Sequence, residues 1–396
     1  MTKTIQRRAI TIALLTVAAR SLWPIDANPL LFFYDIYVTR RIAGGGSGVV
    51  EGDDDGMMSS RRAFPPGSAP ALEGKTAWIT GASSGIGAEL AIQLARAGIG
   101  RLVLSGRRRG ELESVARMCR EASASASASG GRGTGARPVV RTSVVAFDMS
   151  GGPDVLDSAV SDALRDAPSI DVLVLNAGRY QCQPAMDADL DALLPELMRI
   201  NFESPVLLAR RLMREDRWRE DGRGHVVVVS SLLGRGTTAL NSVYSASKHA
   251  LGAYFLTLAA EERSWLRVDV VLPGPVDTGL WRGTSSSAPA IGLPPLHADD
   301  RSKMSVRRCA QLIISGMIGP NSLFYETWVT NNPGLLWVYL ASYEPNTFRL
   351  LTNIVGSLRL DIWRKRGEDA LYLPTLLLHL WECIKEWFRR LLISHL

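Results

Sequence analysis

The chain has 396 residues, of which 46% are hydrophobic, 21% charged and 7% aromatic, a composition that folds and that excludes wholesale disorder. Its formal charge of +6, with a pI near 9.3, is a mild excess with no nucleic-acid-binding motif beside it, so nucleic acid is not an expected partner. The four cysteines, Cys119, Cys182, Cys309 and Cys383, are widely separated and lack ligand spacing, which indicates neither a disulfide framework nor a metal site.

The first forty residues differ from the rest. A basic start (Lys3, Arg7, Arg8) precedes an apolar stretch at residues 9–19, then come Arg20, Pro24, Asp26 and Pro29, and then a second apolar stretch at residues 30–38 interrupted by Asp35. A spanning helix needs about 20 apolar residues, and neither stretch alone is that long. Three readings stay open: an uncleaved anchor or broken membrane hairpin, a targeting peptide, and a buried amphipathic helix. Residues 1–42 are thus a membrane-anchor or targeting segment, and the Gly-, Asp- and Pro-rich residues 43–70 are a flexible linker.

From Lys75 onward apolar runs alternate with helical patterns, the signature of βα units feeding a parallel sheet. Strands are expected at 76–80, 101–104, 139–147, 171–175, 225–229, 268–272 and 323–329. A low-complexity Ser/Ala and Gly insert at residues 123–135 reads as a surface loop between a helix and the third strand. Beyond Thr330 the alternation stops. Helices are expected at 333–343 and 345–363, and a last one from Pro374, where Leu377, Leu380, Trp381, Ile384, Trp387 and Phe388 recur at helical spacing. That last helix either packs on the protein or lies in a membrane interface.

The first strand runs into Thr80-Gly81-Ala82-Ser83-Ser84-Gly85-Ile86-Gly87 and then a helical pattern. Gly81 permits a tight turn, Gly85 lets backbone amides approach a pyrophosphate, and Gly87 lets the helix pack closely on the sheet. The helix start adds unpaired N–H groups and a positive dipole end. A glycine turn is common on its own, and its place between strand and helix is what points to a nucleotide. At the end of the second strand, where an NAD enzyme places an acid, stand Arg107, Arg108 and Arg109. With no carboxylate there to repel a 2′-phosphate and a guanidinium able to clamp one, NADP(H) is expected over NAD(H); a solvated basic turn is the plain alternative. Asp148 and Met149 follow the third strand, with Asp148 able to accept from an adenine amino group, and Asn176-Ala177-Gly178 closes the fourth beside the cofactor.

Tyr244 and Lys248, four residues apart on an expected helix, share one face, and Ser231 stands thirteen residues earlier at the end of the fifth strand. A phenol with a pKa near 10 is a poor base at neutral pH, and a neighbouring ammonium is expected to favour its phenolate. Ser231 can polarise a substrate oxygen without titrating.

At these residues the chain resembles the short-chain dehydrogenase/reductase family over residues 72–329. The resemblance implies a Rossmann-type, doubly wound seven-stranded parallel sheet at 71–330, flanked by hydrophobic N- and C-terminal extensions, the latter helical at 331–396. It implies a catalytic set of Ser231, Tyr244 and Lys248, with Asn201 as the fourth member, holding a water that links the lysine to solvent. Pro273-Gly274-Pro275-Val276-Asp277-Thr278 resembles the loop that holds the nicotinamide carboxamide, bringing Pro273, Gly274, Val276 and Thr278 into the cofactor site. The tail resembles a membrane-attached branch of the family that reduces steroids, retinoids and other lipophilic carbonyls. Leu175 departs from the asparagine common at its position, and the Ser/Ala insert has no counterpart; neither touches the catalytic set.

The expected function is hydride transfer between NADP(H) and a carbonyl or alcohol of a lipophilic small molecule. A 3-ketosphinganine-type lipid reductase and, in another class, a non-catalytic cofactor-binding scaffold or redox sensor are the alternatives. The expected location is membrane-associated, at the endoplasmic reticulum, with mitochondria as alternative. A homodimer is compatible with the sequence.

Overall fold

A computed structural model of the chain describes residues 72–129, 138–215, 218–278, 303–318, 326–330 and 334–366. The two N-terminal apolar stretches, the linker, the helix from Pro374 and residues 279–302 lie outside the described residues.

Seven strands form one parallel sheet: β1 (Thr76–Thr80), β2 (Arg101–Gly106), β3 (Arg141–Ala146), β4 (Val172–Leu175), β5 (Gly224–Val229), β6 (Leu266–Pro273) and β7 (Glu326–Val329), in the order β3-β2-β1-β4-β5-β6-β7. All seven expected strands are present: β1 has the expected ends, and within the described residues the others differ by no more than two residues at either end. Parallel strands need crossovers, so helices cover both faces and the strands are apolar on both sides. Period-2 alternation then sorts the core into two halves. Ala77, Ile79, Val172, Val174, Val227 and Val271 face one cluster, while Trp78, Leu173, Leu175, Val226, Val228 and Val270 face the other.

The first cluster is closed by α1 (Gly85–Ala97), α2 (Arg109–Ser129) and, after β6, α8 (Val306–Ile318). The second is closed by α3 (Pro153–Asp166), α5 (Ser204–Glu215) and α7 (Ser242–Glu261), with the shorter α4 (Leu190–Met198) and α6 (Trp218–Asp221) between them. The strand order reverses between β1 and β4, and the crevice above their carboxyl ends is where such sheets bind ligands.

The Ser/Ala insert is not wholly a loop: α2 continues through it to Ser129. Alanine is the best helix former, and the serines return their hydroxyls to the preceding turn, Ser125 to the Glu121 carbonyl and Ser127 to the Ser123 carbonyl. Ser123 is buried and its Oγ accepts the Val140 N–H at 3.1 Å, so the insert docks the start of β3. Residues 130–137 lie outside the described residues.

The C-terminal helices α9 (Gly334–Tyr343) and α10 (Pro345–Arg366) pack onto the sheet domain. Val338 enters the second core cluster, and Ile362 and Trp363 join a third cluster with Tyr180, Leu240 and Tyr244. The extension is therefore part of the wall around the expected catalytic residues. No helix among the described residues is long and apolar enough to cross a membrane.

Candidate active site

The glycine turn is held from β4. Asn176 Nδ2 donates to the carbonyls of Thr80 and Gly81 at 3.0 and 3.1 Å, while Thr80 Oγ1 accepts the N–H groups of Asn176 and Ala177 at 3.0 and 3.1 Å. Gly81 adopts a φ of +66°, and a Cβ on it would fall 2.8 Å from Ala177 Cα. A Cβ on Gly87 would lie 2.5 Å from both Gly81 O and Asn176 Nδ2. Only glycine fits either place, and the turn comes out as the sequence predicts. Ser84 is the N-cap of α1 but makes no side-chain cap bond, which leaves the first-turn amides turned to the crevice. Ile86, partly buried, packs its side chain on the first core cluster, which leaves its backbone as the part best placed for a cofactor. Met149, buried in the second cluster, is limited in the same way.

Arg107 and Arg108 extend into solvent from the end of β2. Arg108 Nη2 donates to Ser83 Oγ and Ser84 Oγ, each at 3.2 Å, and pairs with Glu111 at 2.7 Å. Arg107 lies 3.9 Å from Asp148. Asp148 Oδ1 accepts the Ser150 N–H at 2.9 Å, leaving Oδ2 toward Arg107. The structure thus gathers two guanidinium groups and two serine hydroxyls over one edge of the glycine turn. The sequence alone missed Glu111, which partly neutralises Arg108.

Ser231, two residues past the end of β5, accepts the Leu233 N–H on its Oγ at 3.2 Å, and its hydroxyl lowers the pKa of the nearby Tyr244 phenol. Tyr244 and Lys248 sit one turn apart on α7, both buried. Lys248 Nζ donates to the Val229 carbonyl at 3.0 Å and lies 6.0 Å from the centre of the Tyr244 ring. Asn201 is wholly buried on a π-helical turn, Arg199–Glu203, between α4 and α5. Its Nδ2 donates to the Arg179 carbonyl and to Ser247 Oγ, and its Oδ1 accepts the Arg179 N–H. A Cβ on Gly178 would lie 3.3 Å from Asn201 Oδ1 and 3.5 Å from Lys248 Nζ. The three motifs holding Gly178, Asn201 and Lys248 therefore converge on one point.

Burial decides the electrostatics. It pushes the Tyr244 phenol up to about 12, against the opposing effect of the Ser231 hydroxyl, and pulls the Lys248 ammonium down to about 8. The expected lowering of the phenol by its lysine is thus not met in the protein alone: desolvation disfavours both charged forms and outweighs their attraction at this separation. Tyr244 is a protonated donor throughout the neutral range.

The loop after β6 closes the site. Gly274 N–H donates to the Val329 carbonyl at 2.9 Å, Val276 pairs with Met304, and Asp277 N–H donates to the Met304 carbonyl at 3.0 Å. Thr278 comes against the glycine turn, its Cγ2 3.3 Å from where a Cβ of Gly85 would stand. Pro273 is the last residue of β6. Thr278 thus stands against the glycine turn, while Gly178, Asn201 and Lys248 meet beside it.

Sequence reasoning missed a second layer. Tyr180 packs edge-to-face on Tyr244, with ring centroids 4.9 Å apart, and Asn241 Nδ2 donates to its hydroxyl at 2.8 Å. From the extension, Arg359 donates to Thr238 Oγ1 at 2.6 Å, and Trp337 and Phe348 flank Gly236. An Asn directly before an expected helix was a usable signal for Asn241; nothing local marks Tyr180 or Arg359.

Comparison with known proteins agrees with this geometry. The family model described as short chain dehydrogenase matches residues 75–288. The human dehydrogenase/reductase SDR family member 7 is 33% identical over 297 residues, 74% of this chain and 80% of that protein. A short-chain dehydrogenase from Sphingobium yanoikuyae, solved in complex with NADPH, aligns with a TM-score of 0.53 at 25% identity, covering 69% of this chain and 94% of that one. The fold is shared by an alcohol dehydrogenase from Thermococcus sibiricus complexed with 5-hydroxy-NADP, with a TM-score of 0.53 at 22% identity over 65% of this chain and 97% of that one. With its glycine turn, its Ser231, Tyr244 and Lys248 constellation and its seven-stranded parallel sheet, the chain belongs to the short-chain dehydrogenase/reductase family of nicotinamide-dependent oxidoreductases.

Proposed function

We propose that the protein reduces the carbonyl of a lipophilic small molecule with NADPH, Tyr244 giving the proton. The observation that carries this reading is a buried Tyr244 phenol one turn from a buried Lys248 on α7, with Lys248 Nζ beside Gly178 and Asn201 and the Ser231 hydroxyl acting on the phenol. The residues fit a dinucleotide: Gly81 and Gly87, packed without a Cβ against Ala177 and Asn176, hold the turn close to β4, and the start of α1, with no side-chain cap, suits a pyrophosphate. The nicotinamide supplies the hydride. Gly81 to Gly87 bind the phosphates, Arg107 and Arg108 take the 2′-phosphate, and the loop from Pro273 to Thr278 orients the nicotinamide ring.

Ser231 donates a hydrogen bond to the substrate oxygen and so holds the carbonyl beside the phenol. As negative charge develops on that oxygen, Tyr244 transfers its proton to it, a step for which a raised pKa keeps the donor loaded. Lys248 holds the ribose and places its positive charge where it stabilises the resulting phenolate. Asn201, whose Oδ1 lies beside Gly178 as does Lys248 Nζ, holds the water that returns the proton.

NADPH over NADH is supported by the absence of any carboxylate at residues 107–109 and by Arg108 lying across Ser83 and Ser84. A lipophilic substrate is supported by the apolar wall of Leu197, Leu240, Val243, Ile362 and Trp363 around Tyr244. Attachment to a membrane is supported by the apolar stretches of the first forty residues, and the endoplasmic reticulum, with mitochondria as the alternative, by the resemblance of the chain to membrane-attached reductases of the family. The experiment is consumption of NADPH and NADH with a panel of lipophilic ketones and aldehydes. Turnover restricted to small hydrophilic carbonyls, or faster turnover with NADH, would reject the corresponding part of the reading.

A further inference from the structure

Three costly features lie within the four residues before Tyr244. Leu240 has a φ of +77°, a left-handed conformation that residues with side chains seldom adopt. Asn241 stands at the N-cap of α7, where its side chain would ordinarily accept an amide of the first turn, yet it makes no such bond. Its side chain is buried, and Oδ1 has no hydrogen-bond partner. Each feature lowers stability, and all three hold a single amide in a single orientation.

That amide reaches the segment that follows Gly178. Asn241 Nδ2 donates to the Gln181 carbonyl at 2.6 Å and to the Tyr180 hydroxyl at 2.8 Å. The strained Leu240 closes the same link from its own side, its carbonyl accepting the Gln183 N–H at 2.9 Å. Two arms then return to Tyr244. Gln181 Oε1 accepts the Tyr244 backbone N–H at 3.2 Å, and the Tyr180 ring packs edge-to-face on the Tyr244 ring.

We propose that Asn241 is a positioning residue for Tyr244: by holding Tyr180 and Gln181 together, it fixes where the phenol stands against Ser231. Asn241 is not a catalytic residue and acts only through its two neighbours. Its role rests on the reading of Tyr244 as proton donor, since the orientation of that ring matters only if its hydroxyl reacts.

The test is steady-state kinetics with NADPH and a carbonyl that the wild-type protein reduces. Asn241→Ala should lower kcat by about tenfold to a hundredfold, the cost of misplacing a reacting group by up to an ångström, while KM for carbonyl and NADPH stays within about twofold. Asn241→Asp, of equal size but without the N–H groups, should not rescue kcat. Tyr180→Phe deletes only the hydroxyl that Asn241 holds and keeps the ring; it should lower kcat by about threefold, the effect of one net hydrogen bond, and it carries the test if Asn241→Ala does not fold. In a Tyr180→Leu background, Asn241→Ala should cost much less than it does alone. Wild-type kcat in Asn241→Ala, a loss shared equally with NADPH affinity, or additive effects in the double variant would overturn the role. Wild-type protein that reduces no carbonyl would overturn the proton-donor reading and this role with it, whereas an active wild type with an unimpaired Asn241→Ala would overturn this role alone.

Discussion

Replacing Lys248 by methionine should make the cofactor-free protein more stable at neutral pH while destroying its activity. The ammonium is buried and its pKa falls from the ordinary 10.5 to about 8. At ~1.4 kcal/mol per pH unit that lowering corresponds to roughly 3 kcal/mol of penalty for folding with the charge in place. Because the folded value lies below the unfolded one, the folded protein gives up a proton between about pH 8 and pH 10.5 that the unfolded chain still holds. Wild-type stability therefore carries the full penalty below pH 8 and recovers as pH rises through that window. Methionine removes the charge but leaves the Val229 carbonyl without its donor, a loss of about 1–2 kcal/mol. The net expectation at pH 7 is a gain of ~1–2 kcal/mol, a few degrees in Tm. By pH 10 most of the gain should be gone. Denaturant unfolding of both proteins from pH 7 to pH 10 measures this directly, and taking the difference cancels every group the two share. A difference that does not change with pH would refute the account of Lys248 as a buried charge kept for function.

Charge at the end of β2 should set cofactor preference. Removing Arg107 and Arg108 together, as Ala, should weaken NADPH by about ten- to a hundredfold, one charge-assisted contact or more, and leave NADH little changed; fluorescence titration of both cofactors would show an unchanged ratio if the assignment is wrong. Glu111→Gln frees Arg108 from its 2.7 Å pair and should tighten NADPH, and weaker binding would contradict the role given to Arg108. Gly87→Ala places a Cβ 2.5 Å from the Gly81 carbonyl and from Asn176 Nδ2; it should destabilise the protein by about 1–3 kcal/mol and impair binding of both cofactors alike, so normal cofactor affinity would show that the turn does not hold the phosphates. The full chain should remain in the membrane fraction after alkaline carbonate extraction, whereas a chain beginning at Ser68 should be released; full-length protein recovered in the supernatant would reject the anchor.

The sheet was legible because parallel strands buried on both faces appear as short apolar runs between helical patterns, and residues such as Trp78 and Val226 need no partner from far away to be recognised as core. The nucleotide turn was legible because its glycines answer to local backbone needs. Ser231, Tyr244 and Lys248 were legible through spacing and resemblance. What could not be read is set by contacts distant in sequence. The composition of the Ser/Ala insert predicts a loop, and the helix reaches Ser129 instead, with the buried Ser123 tied to Val140, seventeen residues on, a contact that composition does not show. The electrostatics of the protein without cofactor are hidden for a related reason: charge proximity along a helix can be counted from sequence, but the burial that raises Tyr244 and lowers Lys248 comes from surrounding elements. Tyr180 and the α10 residues Arg359, Ile362 and Trp363 reach the site only once the chain has folded.

The central claim is that Tyr244 is the proton donor for NADPH-dependent carbonyl reduction, and the measurement that tests it most directly compares wild-type protein with Tyr244→Phe. Absorbance of reduced nicotinamide would be followed with a panel of lipophilic ketones and aldehydes, beside a titration of NADPH binding to each protein. The account predicts wild-type turnover of at least one carbonyl, faster with NADPH than with NADH, a loss of about a hundredfold or more in the variant, and NADPH affinity close to wild type in both. Undiminished turnover in Tyr244→Phe, or a loss that follows weakened NADPH binding, would contradict it.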